Sequence, residues 1–190
     1  MRSIVTISSL VLAACLVPTS QSRAAEAVSV PRFNAVSLKG GGTVRIVPST
    51  VQRVTIRNGS SAYTSIKVRH TSLEIENCHV RCPDGYRLDL EIQTPKLDAV
   101  AVSHGGELRF GEGFGPQGDI AVALSNGGKI DLRSLRAREV SAAVNSGGAI
   151  EVGAPIQLSA AVNSGGAIRY RGNPNVSSAV SSGGSVERVQ

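Results

Sequence analysis

The chain has 190 residues and a formal net charge of +6; 41% of it is hydrophobic, 18% charged and only 3% aromatic, with no Trp. At this length one domain is the natural reading. Its 21 glycines follow no strict three-residue period, which excludes collagen, and without a basic run or a stacking-aromatic platform nucleic-acid binding has no support.

The chain opens like an export signal. Arg2 is a short positive region, and Ile4 to Val17 is apolar but for Thr6, Ser8 and Ser9, with Pro18 ending the run. This is too short to span a bilayer comfortably as a mature helix. Two processing routes stay open. "LAAC", Leu12 to Cys15, fits a lipobox, with residues 1–14 removed and Cys15 lipidated, although the apolar run continues through Leu16 and Val17. Alternatively, small residues at Ser22 and Ala24, or at Ala25 and Ala27, suit ordinary signal peptidase, with residues 1–24 removed. The first cut leaves a charge of +5, the second +4. For an exported chain, that mild positive charge suggests attraction to anionic envelope polymers. Residues 25–32 then read as a linker and 33–190 as the domain.

The first half of that domain carries alternating strands: "TVRIV", "QRVTIRN", "SIKVRHTSLEIEN" and "YRLDLEIQTP". Period two predicts half-buried strands, which here start the fold and cap its end. "NCHVRCPDGY" reads as a turn between two of them. In an oxidising compartment Cys78 and Cys82 are expected to form a local disulfide. His79 between them raises a metal site as the alternative, but no second ligand pair stands at zinc-like spacing, and the order is not C-x-x-C-H.

The second half repeats. Aligned on Gly-Gly, the segments are "AVSHGGELRF", "ALSNGGKIDL", "AVNSGGAIEV", "AVNSGGAIRY" and "AVSSGGSVER", with a weak earlier copy in "SLKGGGTVRI". The paired glycines are Gly105 and Gly106, Gly127 and Gly128, Gly147 and Gly148, Gly165 and Gly166, and Gly183 and Gly184; the steps are 22, 20, 18 and 18 residues. Each unit predicts two short strands around a glycine corner. Stacking the units aligns Val102, Leu124, Val144, Val162 and Val180 in one aliphatic column and Leu108, Ile130, Ile150, Ile168 and Val186 in another. Arg109, Asp131, Glu151, Arg169 and Glu187 form an outward charged row, in which Glu151 and Arg169 are expected to face each other. Ser103, Ser125, Asn145, Asn163 and Ser181 form a polar ladder, and "SVERVQ" closes the chain in charge. The expectation is all-β: a single-domain parallel β-helix, or β-solenoid, with corner repeats of about 18–22 residues and a less regular N-terminal part.

From about Phe33 onward the chain resembles the bacterial GIN domain family, named for an auto-transporter adhesin head. The resemblance rests on "FNAVSLKGGGTVRIV", "SLEIE", "PKLDAVAVSHGGELRF", the Gly-Gly repeats and the closing "YRGNPNVSSAVSSGGSV", where Gly172, Pro174 and Val176 match the family's G-x-P-x-V. The "CHVRC" loop departs from the family pattern. The resemblance implies an exported, right-handed parallel β-helix, suggests adhesion, and assigns no catalytic residue.

These readings favour a non-enzymatic protein of the periplasm or cell surface. It would bind an unidentified envelope polymer or surface protein, take no cofactor or metal, and meet a membrane only through a lipid anchor at Cys15. The alternatives are a purely structural envelope protein and a polysaccharide-cleaving enzyme. Cleavage needs carboxylates converging in one cleft, whereas Asp131, Glu151 and Glu187 recur as a row. Calcium repeats carry a nine-residue G-G-x-G-x-D beat that is absent here. His70 and His104 have no Ser or Asp partner at a nucleophile spacing, and "GGGTVR" lacks the P-loop Lys-Ser/Thr.

Overall fold

Alternating aliphatic side chains give most segments of this chain one face to bury and one to leave in water. The computed structural model describes residues 25–190, which form seventeen strands and, among the described residues, no helix. The segment expected to direct export, and Cys15 within it, lie outside the described residues. In chain order the strands are β1 (Glu26–Val28), β2 (Ala35–Lys39), β3 (Thr43–Pro48), β4 (Arg53–Asn58), β5 (Thr64–Arg69), β6 (Ser72–Asn77), β7 (Asp89–Thr94), β8 (Ala99–Ser103) and β9 (Glu107–Phe110). The repeats supply β10 (Gln117–Ser125), β11 (Lys129–Leu132), β12 (Ala137–Asn145), β13 (Ala149–Val152), β14 (Gln157–Asn163), β15 (Ala167–Tyr170), β16 (Asn175–Ser181) and β17 (Ser185–Arg188).

These strands make two mixed sheets. One has nine strands in the order β1-β4-β7-β3-β9-β11-β13-β15-β17, and the other eight in the order β16-β14-β12-β10-β8-β2-β6-β5. The pairs β1–β4, β4–β7 and β5–β6 are antiparallel, and the remaining pairs are parallel. This overturns the single parallel β-helix expected from the repeats. Spatial order departs from chain order in the first half, with β2 seated between β6 and β8 and β3 between β7 and β9. The cause is local. Arg69 pairs with Ser72, so His70 and Thr71 form a two-residue hairpin loop with His70 at φ +56°, and the chain folds back on itself. A hairpin reverses direction, so the first half cannot join a coil that advances one way.

Within the repeats the aliphatic columns are in register. Leu124 pairs with Val102 on one side and Val144 on the other, followed by Val162 and Val180. Ile130 pairs with Leu108 and Ile150, followed by Ile168 and Val186. Leu38 of the weak early copy joins the first column opposite Val102. Leu124, Ile130 and Ile150 are at most 1% exposed, and the columns merge into one core that continues through Leu73, Ile75, Leu90 and Ile92. Burying each such side chain contributes about 1.5–3 kcal/mol. The last strand pair lacks a further neighbour among the described residues, and Val180 is 48% exposed.

The corner needs its two glycines for different reasons. In "NSGG", Ser146, Gly147 and Gly148 all have positive φ (60°, 85° and 99°). A Cβ on Gly147 would meet nothing within 4 Å, so only its backbone conformation resists a side chain. A Cβ on Gly148 would lie 2.7 Å from Leu124 Cδ2 and 2.9 Å from the Gly128 carbonyl oxygen, against the preceding turn of the stack. Gly147→Ala is therefore expected to cost about 1–2 kcal/mol from the left-handed backbone alone, and Gly148→Ala about 1–3 kcal/mol more from overpacking. Urea unfolding of the two variants checks the order; equal losses would contradict the packing argument.

Candidate functional site

The outer faces of the two sheets differ in chemistry. On the eight-stranded sheet, Ala101, Ala123, Ala143, Ala161 and Ala179 share one outward row. Beside it runs a second row of Ala99, Ala121, Ser141, Ser159 and Ser177. The third is the polar ladder of Ser103, Ser125, Asn145, Asn163 and Ser181. No charged residue stands in these rows from β8 to β16; the first is Lys39 on β2, held by Glu76 at 2.9 Å. A groove of about 490 Å³ follows the alanine row and the ladder. The C-terminal part of the ladder is hydrogen-bonded, with Asn163 Nδ2 donating to Asn145 Oδ1 at 3.3 Å and Ser181 Oγ donating to Asn163 Oδ1 at 2.9 Å.

The nine-stranded sheet is charged outside. Its central outward row reads Glu91, Arg45, Arg109, Asp131, Glu151, Arg169 and Glu187. The register places Glu151 opposite Arg169, as expected, but the Glu151 ion pairs go elsewhere: to Lys129 Nζ at 2.9 Å and Arg133 Nε at 2.8 Å. Asp131 is buried, its side chain 5% exposed. Arg133 grips it with both arms, Nε to Oδ1 at 3.0 Å and Nη2 to Oδ2 at 2.7 Å, and the Arg133 backbone N–H also donates to Oδ1 at 3.1 Å. Such a forked, charge-assisted pair fixes geometry as well as charge. Burial pushes the Asp131 carboxyl up, but the hydrogen bonds and charge of Arg133, with Lys129 nearby, outweigh it and hold the group below its ordinary range. The hydrogen bond and charge of Asp131, aided by Glu151, raise Arg133 in turn. Glu107 likewise raises Arg109, first through its hydrogen bond and then through its charge.

Around this pair lies a polar cleft of about 540 Å³, lined by Arg45, Arg109, Arg133, Arg171, Asp131 and Glu112 over a floor that includes Phe110 and Gly111. The sequence reading held Arg109 and Asp131 in its outward row and missed Arg45, Arg133 and Arg171. Arg45 sits 64 residues from Arg109 in sequence, yet the register sets them side by side. Arg133 and Arg171 each stand two residues beyond the outward row, where the strands end; a second row drawn at that offset would have found them.

The other sequence-derived positions lie as follows. Gly105, Gly106, Gly127, Gly128, Gly147, Gly148, Gly165, Gly166, Gly183 and Gly184 occupy the turns between the two sheets. Cys78 and Cys82 are bonded to each other with their Cα atoms 5.4 Å apart, which takes both sulfurs out of any metal-binding role. Cys78 has φ +54°, the conformation of Ser146 in its corner, so the disulfide loop stands where a repeat would have Ser-Gly-Gly. Beside it, Asn77 donates to the Gly40 carbonyl at 3.2 Å, and Thr64 Oγ1 bonds Tyr86 Oη at 3.0 Å and Asn77 Oδ1 at 3.3 Å.

Residues 112–174 match the family model described as "Putative auto-transporter adhesin, head GIN domain". The chain is also similar to a solved "putative adhesin" from Bacteroides fragilis at 17% identity and TM-score 0.47, over 87% of this chain and 96% of that one. A "putative adhesin" from Parabacteroides distasonis is similar at 16% identity and TM-score 0.42, over 87% and 96%. A "putative lipid binding protein" from the same organism is similar at 15% identity and TM-score 0.39, over 88% and 96%. No curated protein matches the chain.

The lowered Asp131 makes a pH prediction. A carboxyl whose folded value lies below its unfolded value, about 3.9, contributes stability that is complete above the unfolded value and is lost as pH falls through the folded one. Asp131→Asn is expected to cost about 1–3 kcal/mol at pH 7. The gap between wild type and variant should stay constant from pH 7 to about 5 and shrink below about 4. Urea midpoints at pH 7, 5 and 3.5 check this; a gap that widens on acidification would reverse the sign.

Proposed function

We propose that this protein is an exported, non-enzymatic component of the bacterial envelope or cell surface that holds a neutral polysaccharide against the outer face of its eight-stranded sheet. The observation that carries the reading is the three uncharged rows spanning β8 to β16, where alanines leave a groove and the Ser/Asn ladder runs beside it. Parallel strands repeat at about 4.8 Å, so the ladder offers donors and acceptors at a fixed interval, which suits a polymer that repeats its own hydroxyls. The match of residues 112–174 to an adhesin-head family agrees with a binding role. Export rests on the N-terminal apolar segment, and anchoring through Cys15 is the alternative to its removal with that segment.

The charged sheet gives polysaccharide cleavage little support. A general acid needs a raised carboxyl, whereas Asp131 is lowered, and both Asp131 and Glu151 are engaged by cations.

Ala143→Gln with Ala161→Gln fills the groove without adding charge and touches only exposed positions. The double variant is expected to unfold within about 0.5 kcal/mol of wild type and to lose at least tenfold in affinity for the polysaccharide that wild type retains from an immobilised panel of neutral glycans and peptidoglycan. Absence of saturable binding to every panel member, or unchanged binding by the variant, overturns the reading.

A further inference from the structure

The arginine cleft on the opposite sheet has an imbalance that the fold does not need. Arg45 and Arg109 lie directly opposite each other on β3 and β9. Like charges in that position destabilise a sheet. Arg109 is compensated by Glu107 at 2.6 Å and by Asp131 at 3.9 Å. Arg45 has no ion pair among the described residues: its other neighbour in the row, Glu91, is held by Arg57 at 2.7 Å. At the far side of the cleft, Arg133 is committed to Asp131 and Glu151, while Arg171 carries no ion pair among the described residues. Both uncompensated arginines are exposed at the mouth of one cavity. Between them, Asp131 fixes Arg133, so the cleft has a rigid middle and two free ends.

The distance between those ends selects the ligand. Arg45 lies on β3 and Arg171 just beyond β15, four strand steps away across β9, β11 and β13. At about 4.8 Å per step their backbones stand about 19 Å apart, so the two side chains enter the cavity from opposite ends. The planar arginine fork donates to two oxygens of a tetrahedral phosphate or sulfate at once, and separated forks match a chain that carries such groups at intervals. Glu112 at the cleft margin disfavours a uniformly dense polyanion and favours spaced charges. We propose that this cleft binds an extended polysaccharide bearing phosphate or sulfate groups, anchored by Arg45 and Arg171. The site is on the other sheet from the neutral groove and stands or falls separately from it.

The test is binding of dextran sulfate of low substitution, its sulfates spaced along the chain, with uncharged dextran and inorganic sulfate as companion probes, to wild type, Arg45→Gln/Arg171→Gln, and Arg69→Gln. Arg69 is a distant exposed cation paired with Glu74 at 3.2 Å on the eight-stranded sheet, so its variant reports general charge attraction. Dextran sulfate is expected to bind wild type at least a hundredfold more tightly than inorganic sulfate, with no binding of uncharged dextran. The double variant should lose at least tenfold and show a shallower dependence on salt, while Arg69→Gln stays within twofold. Without ligand, Arg45→Gln should raise the melting temperature by removing the Arg45–Arg109 repulsion, which also shows that the variant folds. Equal losses in Arg69→Gln and the double variant would reduce the effect to net charge and overturn the proposal. Inorganic sulfate binding as tightly as the polymer would overturn its extended character, and an oligonucleotide binding more tightly than dextran sulfate would overturn its glycan nature. Ala143→Gln/Ala161→Gln should leave dextran sulfate binding unchanged, which separates this site from the neutral face.

Discussion

Parallel strands in register, each setting its aliphatic residues on those of the next, are the constraint from which the rest of this structure follows. A slip of one residue would turn a whole column out to water, so every turn between the sheets must return the chain in phase. On one edge that turn is invariant: three residues separate β8 from β9, β10 from β11 and β12 from β13, with Gly-Gly in the last two places. On the other edge it varies. Six residues separate β9 from β10, against four between β11 and β12 and between β13 and β14. Changes in repeat length are absorbed partly there and partly in the length of the even-numbered strands, where they leave the register untouched. The longest of these turns seats Phe114 against Phe110, ring centroids 5.6 Å apart, so the added residues contribute to the core. Arg133 and Arg171 also come from this variable edge.

The two ends of the stack are closed differently. At one, antiparallel β5, β4 and β1 lie beyond the parallel strands, and the Cys78–Cys82 loop occupies the place of a glycine corner. Its neighbours Thr64, Asn77 and Tyr86 satisfy one another in a polar network, so buried donors and acceptors there do not go unpaired. At the other end β16 and β17 have no outer neighbour among the described residues. Val176 and Val180 continue the inner columns but are 40% and 48% exposed, and Glu187 and Arg188 stand on the edge strand beside them. Charge on an edge strand discourages pairing with another chain.

The repeats were legible because their information is local. Val102, Leu124, Val144, Val162 and Val180 each stand three residues before a glycine, and that offset alone set them in one column. The first half was not, because beyond the weak early copy its pairings join residues with no shared beat: β6 beside β2, β5 backwards onto β6, and β4 backwards onto β7. Reading the less regular first half as the start and cap of the same coil produced the mistaken single β-helix, while the hairpin at His70 and Thr71 that breaks it occupies only two positions. The Cys78–Cys82 bridge was readable from spacing and compartment. The arginine cleft was only half visible, since Arg45 precedes the regular repeats and Arg133 and Arg171 belong to the turns that alignment on Gly-Gly leaves at the margin.

A stack of near-identical units turns every outward residue into a row, and electrostatics limits what a row can contain. Hydrogen-bonding groups can repeat without penalty, because Ser and Asn side chains both donate and accept; the eight-stranded sheet uses this from Asn145 to Ser181. A row of like charges repels itself, so the acidic neighbours Asp131 and Glu151 are held by Lys129 and Arg133, and beyond them Arg169 and Glu187 alternate in sign. Against that background, adjacent Arg45 and Arg109 break the pattern that the fold alone would favour. Arg45 is the member of the row whose neighbours are a like charge on one side and an acid held by another arginine on the other.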